Sequence, residues 1–267
     1  CARLRVNVLF QFQGVQEIYN LACPTSPKHF TKNRIASLLA NSYVLKNGLD
    51  LALKYQAKFL HFSSSVVYGG RLDDSHRVSE EEIGLVDMLS DRAAYDEAKR
   101  FAETMVKTYR DVYNLDTKIL RLFRVYGPHM PLDEGHMIPD FISAALDDRD
   151  LIIHGDPSFS SSYCYVADCV SAAIRMMDST QAGPINIGSD INLNIEDLAK
   201  KIIAMLESES KISYDKAMLF MTPLALPNIT KARELLGWMP LVTLENGLQK
   251  TIDNLRASKG LKSVNYY

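Results

Sequence analysis

Short apolar segments alternate with longer helical segments along the first half of the chain. The apolar segments QEIYNLA (16–22), KFLHFSSS (58–65) and TKILRLFRV (117–125) have the length and composition of buried strands. The segments at 34–55 and 95–113 separate them and have the composition of helices. Strands spaced in this way are too far apart to pair as hairpins. The order therefore predicts an α/β fold with a parallel sheet and helices on both faces.

Polar residues follow the second and third predicted strands where each strand ends. Ser63, Ser64 and Ser65 close the second strand, and RVYGPH (124–129) follows the third. In open parallel sheets, ligands bind beyond the carboxyl ends of the strands. Both segments are therefore predicted to lie at the functional edge of the sheet.

The second half of the chain has a mixed pattern. It begins after Pro128, and we predict a smaller α/β lobe packed against the edge of the sheet. The division expected is 1–128 for the main sheet and 129–267 mainly for the lobe, with some return to the sheet. The predicted elements are a helix at 138–146, a strand at 150–155, a helix from about 166, a strand at 184–188, a helix from about 195 and a helix within 226–240.

Composition excludes several classes of protein. A chain of 267 residues with 47% hydrophobic content is long enough to bury a large core. Its net charge of -2, with acids and bases interspersed, gives no basic face for nucleic acid. No apolar run approaches the roughly 18–20 residues of a membrane span, and the N-terminus lacks a signal-peptide pattern. We expect a cytoplasmic enzyme that binds neither nucleic acid nor membrane.

Cysteine and histidine spacing argues against a metal centre. The four cysteines form no CxxC pair, and the six histidines form no HxxxH or HExxH cluster. The expectation is reduced thiols and no bound metal.

Tyr95 and Lys99 form the most informative pair in the sequence. They stand four residues apart in the helical segment RAAYDEAKRFAET (92–104), so they share one helix face. One reading is a surface helix that carries both residues by chance. The other is a proton-transfer device, because a nearby ammonium stabilises a phenolate. With the serines of 63–65, such a set is suited to removing a proton from a sugar hydroxyl while hydride leaves for a nicotinamide.

Several stretches in order resemble a known family. The chain is similar to the extended short-chain dehydrogenase/reductases that modify nucleotide sugars, and most of all to their UDP-glucuronate decarboxylase branch. Weaker similarity continues to about residue 255. The main stretches are EIYNLACPTSP (17–27), FLHFSSSVVYG (59–69), YDEAKRFAET (95–104) and LRLFRVYGPHMPLDEG (120–135).

The resemblance implies a Rossmann-like doubly wound sheet, NAD as cofactor and a nucleotide sugar, with a UDP-sugar expected, as substrate. Tyr95 is then the base, Lys99 its partner, and Ser64 the hydroxyl that contacts the sugar. By position, the resemblance assigns catalysis to Ser64, Tyr95 and Lys99; cofactor binding to Leu21, Ala22, Cys23, Asn41, Tyr95, Lys99 and Tyr126; and substrate binding to Thr25, Ser26, Ser65 and Arg124.

A dinucleotide-binding sheet of this kind normally opens with a glycine-rich turn before a helix. The first two glycines here are Gly14 and Gly48, and no GxGxxG or GxxGxxG pattern can be placed anywhere in the sequence. The sheet is therefore expected to be N-terminally incomplete, with weak NAD binding by residues 1–267 alone.

The chain also departs from the family at positions that matter for chemistry. Val66 stands where the decarboxylases and dehydratases carry a glutamate, and Arg124 stands where they carry an asparagine. His129 and Ser161 replace two arginines, the second of which grips the diphosphate in relatives. The segment LALPNI (224–229) also lacks the basic residue expected there.

Three functions remain open on this evidence. The first is decarboxylation of a UDP-glucuronate through a 4-keto intermediate, which requires little acid–base assistance once the β-keto acid has formed. The second is 4-epimerisation, which requires only the hydroxyl and the Tyr–Lys pair. The third is a catalytically impaired homologue that acts as a non-enzymatic subunit.

The resemblance also implies a homodimer. Members of the family pair through the helix after the second strand and the Tyr–Lys helix, which together make a four-helix contact. Phe101, Met105, Val106 and Tyr109 recur at three- and four-residue steps and predict an apolar stripe for such a contact. The alternative is that these side chains face only the sheet of their own chain.

Overall fold

The strands of the predicted sheet form, with slightly different bounds. The computed structural model describes residues 14–71, 73, 75–132, 134–216 and 224–263. Numbered along the chain, its strands are β1 (Glu17–Asn20), β2 (Lys58–Ser64), β3 (Arg77–Val78), β4 (Thr117–Leu122), β5 (Val125–Tyr126), β6 (Leu151–His154), β7 (Ser160–Ser161), β8 (Cys164–Tyr165), β9 (Ile185–Ile187), β10 (Leu193–Asn194), β11 (Ile212–Asp215) and β12 (Leu226–Pro227).

The helices also follow the predicted order. They are α1 (Arg34–Leu39), α2 (Leu45–Tyr55), α3 (Ala93–Tyr113), α4 (Met137–Leu146), α5 (Val166–Asp178), α6 (Ile195–Leu206), α7 (Thr230–Leu236) and α8 (Leu244–Ser263). A π-helical turn (Ala40–Val44) joins α1 to α2, so the predicted helix at 34–55 is continuous. A short 3₁₀ turn (Ser65–Tyr68) follows β2. None of the helices in the described part of the chain is long and apolar enough to cross a lipid bilayer.

One predicted helix, within 226–240, is shorter than expected. Its first residues form β12, which pairs with β3. The Asn228 side chain accepts a hydrogen bond from the Thr230 amide at 2.9 Å, where α7 begins. Gly237 ends the helix with a φ of 57°, a left-handed conformation that glycine adopts without steric cost.

The main sheet is parallel throughout, in the order β1-β2-β4-β9. Ile18 of β1 lies opposite Phe59 of β2, and Leu120 of β4 lies opposite Ile185 of β9. The segment 184–188 was predicted within the second half of the chain. Through β9 that half returns to the first sheet.

Helices cover both faces of this sheet, as predicted. Successive residues of a strand point to opposite faces. Phe59 and Ile119 pack with apolar residues of α2 and α3, whereas Leu60 and Leu120 pack with those of α5 and α7. The central strands β2 and β4 read as continuous apolar runs because both of their faces are buried, whereas the edge strand β1 is partly exposed.

A separate core belongs to the second half of the chain. Ile142 of α4, Leu151 of β6, Leu198 of α6 and Leu248 of α8 are fully buried in one cluster. At its edges β6 pairs with β11 in parallel, and β7 pairs with β10 antiparallel. This core places the start of α4 against the carboxyl edge of the main sheet, where the candidate site lies.

Candidate active site

A cavity of about 540 Å³ opens at the carboxyl ends of β2 and β4. Its walls come from the segment after β1, the end of β2, the first turns of α3 and the segment between β4 and α4. The predicted site residues that line it are Leu21, Cys23, Thr25, Ser64, Ser65, Tyr95, Lys99, Arg124 and Tyr126. The sequence pattern thus located the edge of the sheet at which these side chains meet.

Tyr95 lies in the first turn of α3, with its ring edge-on to Phe30 at 5.7 Å between ring centroids. Burial raises the pKa of the Tyr95 phenol, and the negative charge of a Cys23 thiolate would raise it further. A side-chain hydrogen bond with Ser64 acts in the opposite direction and lowers the pKa. Ser64 is therefore the neighbour that most directly favours the phenolate.

Lys99 is buried one turn further along α3. Its ammonium donates a hydrogen bond to the Phe62 carbonyl oxygen at 2.7 Å. Burial lowers the pKa of Lys99, and the nearby Cys23 and Glu103 oppose that shift. The main influences on the Tyr95 pKa are burial, Cys23, Ser64, Asp96 and Arg92, and Lys99 is not among them. The pairing predicted from the i, i+4 spacing thus places both groups at one cavity, while the ammonium is bound to the strand.

The end of β2 supplies hydroxyl groups but no acid. The Ser64 Oγ accepts a hydrogen bond from the Val66 amide at 3.4 Å and caps the turn that follows β2. Ser65 and Val66 are both buried in that turn. An apolar isopropyl group therefore lines the cavity where the resemblance expects a glutamate.

The residues assigned to the cofactor occupy different environments. Leu21 and Cys23 line the cavity, while Ala22 between them is exposed and is not part of its wall. Asn41 is buried behind Cys23, and its Nδ2 donates to the Cys23 sulfur at 3.2 Å and to the Ser37 carbonyl at 2.9 Å. The Asn41 Oδ1 is shielded from solvent and has no hydrogen-bond partner within the described residues.

Only some of the residues assigned to the substrate line the cavity. Thr25, Ser65 and Arg124 line the cavity, but Ser26 does not. The Ser26 hydroxyl instead donates a hydrogen bond to the Glu134 carboxylate. This contact joins the segment after β1 to the segment before α4.

Among the lining residues that the sequence analysis did not single out are Arg92, His136 and Tyr163. Arg92 forms an ion pair with Asp96 one turn along α3, with 3.1 Å between the Arg92 Nε and the Asp96 carboxylate. This i, i+4 spacing was visible in the sequence. His136 and Tyr163 also line the cavity, and burial lowers the pKa of His136. They come from distant parts of the chain, and no local pattern marks them.

A buried ion pair fixes α3 against the sheet. Arg121 of β4 binds Glu103 of α3 through two hydrogen bonds of 2.9 and 2.7 Å. The Ser63 hydroxyl donates to the same carboxylate at 2.6 Å, and Arg121 also donates to the Tyr68 hydroxyl at 2.7 Å. Because Glu103 lies one turn beyond Lys99, these contacts fix the position of the Tyr95–Lys99 face.

The positions of the two missing arginines differ in their relation to the cavity, which His129 lines and Ser161 does not. Ser161 is buried in β7, opposite Leu193 of β10. Its neighbour Ser160 accepts a hydrogen bond from Arg71 at 3.1 Å, which brings a guanidinium to this strand. His129 lies at the rim of the cavity with a φ of 64°.

Free thiols and acidic groups do not form a metal site in the described residues. Cys23, Cys164 and Cys169 are all unpaired by disulfides. Across the same residues, no group of three or more His, Cys, Asp or Glu side chains is arranged to hold a metal ion.

The chain belongs to the NAD dependent epimerase/dehydratase family, whose model matches residues 1–188. Among its relatives, UDP-glucuronic acid decarboxylase 4 of Arabidopsis thaliana is 36% identical over 242 residues, covering 91% of this chain and 54% of the relative. UDP-glucuronic acid decarboxylase 1 of Xenopus tropicalis is 35% identical, covering 95% of this chain and 60% of the relative. The chain thus spans about half the length of these relatives.

Solved structures of the family have the same fold. UDP-glucuronic acid 4-epimerase from Bacillus cereus, in complex with UDP-glucuronic acid and NAD, superposes with a TM-score of 0.81 at 25% identity, over 91% of this chain and 76% of that chain. UDP-glucose 4-epimerase from Thermotoga maritima gives a TM-score of 0.84 at 25% identity, over 91% and 78%. The fold is Rossmann-like, as the resemblance implied.

Proposed function

We propose that this protein oxidises a UDP-hexuronate at C4 with NAD and then decarboxylates the 4-keto sugar. The main support for this proposal is that Ser64, Tyr95 and Lys99 line the same cavity. The chain that forms this cavity is 36% identical to a UDP-glucuronic acid decarboxylase. The lobe formed mainly by residues 129–267 is proposed to supply the sugar-nucleotide contacts, and residues 1–128 those to NAD.

The described residues fit the nicotinamide end of NAD. Lys99 and Tyr95 would hold the nicotinamide ribose, with Leu21, Cys23 and Tyr126 around it. The orphaned Oδ1 of Asn41 is a buried acceptor behind Cys23 that a donor group can satisfy. When bound, NAD accepts the hydride that leaves the C4 carbon of the sugar.

The chemistry assigned to the protein is a proton transfer. Tyr95 removes the proton from the C4 hydroxyl, and Ser64 orients both oxygens. Because burial raises the Tyr95 pKa, the Ser64 hydrogen bond and a nearby positive charge are needed to make the phenolate accessible. The oxidised sugar is a β-keto acid: its C5–C6 bond breaks, carbon dioxide leaves, and the electron pair passes to the C4 ketone as an enolate. The enolate takes a proton at C5 from water, so no dedicated catalytic acid is required. The apolar Val66 is compatible with this step.

A second candidate function is 4-epimerisation of the same sugar. The turn after β2 has serines followed by Val66 and Val67, both buried, and offers no acid for later steps. Epimerisation needs none, because the ketone turns over and takes the hydride back on its other face. The Bacillus cereus neighbour, titled a UDP-glucuronic acid 4-epimerase, supports this alternative.

Product analysis distinguishes these functions. The full-length protein is incubated with NAD and UDP-glucuronate labelled at C6, and the products are followed by NMR and by release of carbon dioxide. Labelled carbon dioxide with a UDP-4-ketopentose, or with a UDP-pentose if the hydride returns from the reduced nicotinamide to C4, supports decarboxylation. A C4 epimer that retains the label supports epimerisation. If neither product forms and the protein is folded, both proposed enzymatic functions are contradicted and a non-enzymatic subunit is favoured.

We further propose a homodimer that pairs through α1 and α3. Ile35, Leu38 and Leu39 of α1 are exposed, and so is Phe101 of α3, which packs beside α1. The apolar stripe that the sequence analysis predicted for this contact needs one correction. Val106 is fully buried against its own sheet, and Met105 and Tyr109 pack partly against the same core.

A reducing, cytoplasmic location is proposed from the cysteines. Cys164 and Cys169 are buried and free of disulfides, and Cys23 is free in the cavity. Free thiols at these positions are typical of reducing compartments.

A further inference from the structure

Arg124 is unusual among the residues that line the cavity. Its guanidinium lies over the Phe159 ring, with 5.5 Å from the Arg124 Cζ to the ring centroid. The Nε and Nη2 atoms are shielded from solvent, and neither has a hydrogen-bond partner in the described part of the chain. The backbone carbonyl of Arg124 accepts a hydrogen bond from the Cys164 amide at 2.8 Å, which fixes the start of the side chain.

An unpaired guanidinium in such a place requires an anion. Burying a charged group without a partner is costly, and nearby Arg71 and Arg92 add repulsion. Together with burial, this repulsion lowers the pKa of Arg124. The Nε and Nη2 atoms form one edge of the planar guanidinium, which is the edge that binds a carboxylate or a phosphate through two parallel hydrogen bonds.

We propose that the Nε–Nη2 edge of Arg124 binds the C6 carboxylate of a hexuronate substrate and thereby selects uronic-acid over neutral nucleotide sugars. This inference rests on the proposed function, because it requires a nucleotide sugar whose C4 lies at Tyr95. It identifies Arg124 as the group that distinguishes a negatively charged sugar from a neutral one.

The position of Arg124 in the sheet favours the sugar carboxylate. Leu122 of β4 lies opposite Ser64 of β2, and Arg124 follows two residues later. Neighbouring strands are about 4.8 Å apart and two residues advance a strand by roughly 6.6 Å, so Arg124 lines the same cavity as Ser64 just beyond the strand end. The C6 carboxylate is attached to C5, the ring carbon next to C4. The diphosphate is attached to C1, across the ring from C4.

A diphosphate is the other anion with this chemistry. Arg71 already places a guanidinium beside Ser160, next to Ser161, where the family resemblance expects the diphosphate-binding arginine. That guanidinium gives the diphosphate a different cation. The test is therefore designed so that the two anions give different results.

The experiment measures binding by calorimetry with NAD present. Wild type, Arg124→Met and Arg124→Lys are each titrated with UDP-glucuronate, UDP-glucose and UDP. Arg233→Met serves as the control, because Arg233 is an exposed arginine paired with Asp190 on the surface. Thermal unfolding of each variant confirms that it is folded.

We expect wild type to bind UDP-glucuronate more tightly than UDP-glucose. Arg124→Met should weaken UDP-glucuronate binding about 10- to 100-fold, the range for losing a charge-assisted hydrogen-bonded pair. It should leave UDP-glucose and UDP within about twofold of wild type. Arg124→Lys keeps the charge without the two-pronged edge, so its loss should be smaller and still confined to UDP-glucuronate. Arg233→Met should change none of the affinities.

Equal losses for all three ligands would overturn the proposal and assign Arg124 to the diphosphate. Unchanged UDP-glucuronate affinity in both Arg124 variants would overturn it as well. If Arg124→Met does not fold, the Arg124→Lys series decides by the same criterion. If wild type binds UDP and UDP-glucose but shows no preference for UDP-glucuronate, this inference fails while the proposed nucleotide-sugar site stands. If wild type binds none of the ligands, the proposed function itself fails.

Discussion

Ser64 and Lys99 act on Tyr95 in different ways. The Ser64 side chain bonds the phenol and lowers its pKa, while the Lys99 ammonium is held by the Phe62 carbonyl. Both residues, which the family resemblance assigned to catalysis, line the cavity. The resemblance did not indicate which one contacts the phenol in this structure, because that depends on the exact position of α3 over β2.

Replacing Ser64 with Ala should shift the pH dependence of turnover. The Ser64 hydrogen bond favours the phenolate, so its loss raises the pKa of Tyr95 further. The acidic limb of the kcat/KM profile should therefore move to higher pH. The loss at neutral pH should be about tenfold, below the roughly 10²- to 10⁴-fold of a general base, because Ser64 only orients the proton transfer. Ser64→Thr keeps a hydroxyl and should restore most of the rate. An unchanged profile in Ser64→Ala would remove Ser64 from the proton path.

Lys99→Met tests the second partner. The substitution removes the ammonium, its hydrogen bond to the Phe62 carbonyl oxygen, and the cation proposed to hold the nicotinamide ribose. The rate should fall at neutral pH, and the acidic limb of the profile should move less than in Ser64→Ala, because Lys99 is not among the main influences on the Tyr95 pKa. The change is measured as the pH profile of UDP-glucuronate turnover. A variant with the wild-type profile would show that Lys99 only holds the strand.

At the scale of elements, α3 is the part of the fold on which the site depends. It carries Tyr95 and Lys99, and Glu103 anchors it to Arg121 of β4. The side chains of Arg121 and Glu103 are only 12% and 13% exposed. Removing one partner of such a pair leaves a shielded charge without compensation.

Glu103→Gln should therefore lower the free energy of unfolding by about 2–3 kcal/mol, less than for a fully buried pair because some solvent reaches it. Glu97→Gln on the same helix is the matched control. Glu97 pairs with Arg100 at side-chain exposures of 39% and 34%, and its loss should change stability by about 0.5 kcal/mol or less. Urea denaturation of both variants measures the difference. Equal midpoints would show that the Glu103 pair does not hold α3.

The elements themselves were predictable to a large extent. The strands β2 and β4 read as apolar runs because both of their faces are buried, and α3 had a clear helical composition. The pairing of the three-residue β9 with β4 follows from tertiary structure, and no local pattern fixes it. For the same reason, the sequence did not show that Val106 turns inward or that Ser26 binds Glu134.

At the scale of the whole molecule, the exposed apolar residues of α1 and α3 predict a dimer. Replacing both Leu38 and Phe101 with Glu should give a monomer, because like charges would then face each other across the pairing surface. Leu241→Glu is the control, since Leu241 is 74% exposed and lies outside α1 and α3. Light scattering at micromolar concentration measures the mass. A wild-type monomer under these conditions would contradict the proposed interface.

The measurement that tests the central claim most directly compares UDP-glucuronate turnover by the full-length wild type and by Tyr95→Phe, with NAD present. The substitution removes one hydroxyl and keeps the ring that packs on Phe30, so the fold should be retained. Wild type should turn over the sugar, and Tyr95→Phe should do so about 10²- to 10⁴-fold more slowly, the usual contribution of a general base. Full activity in a folded Tyr95→Phe variant would show that Tyr95 is not the base and would contradict the proposed mechanism.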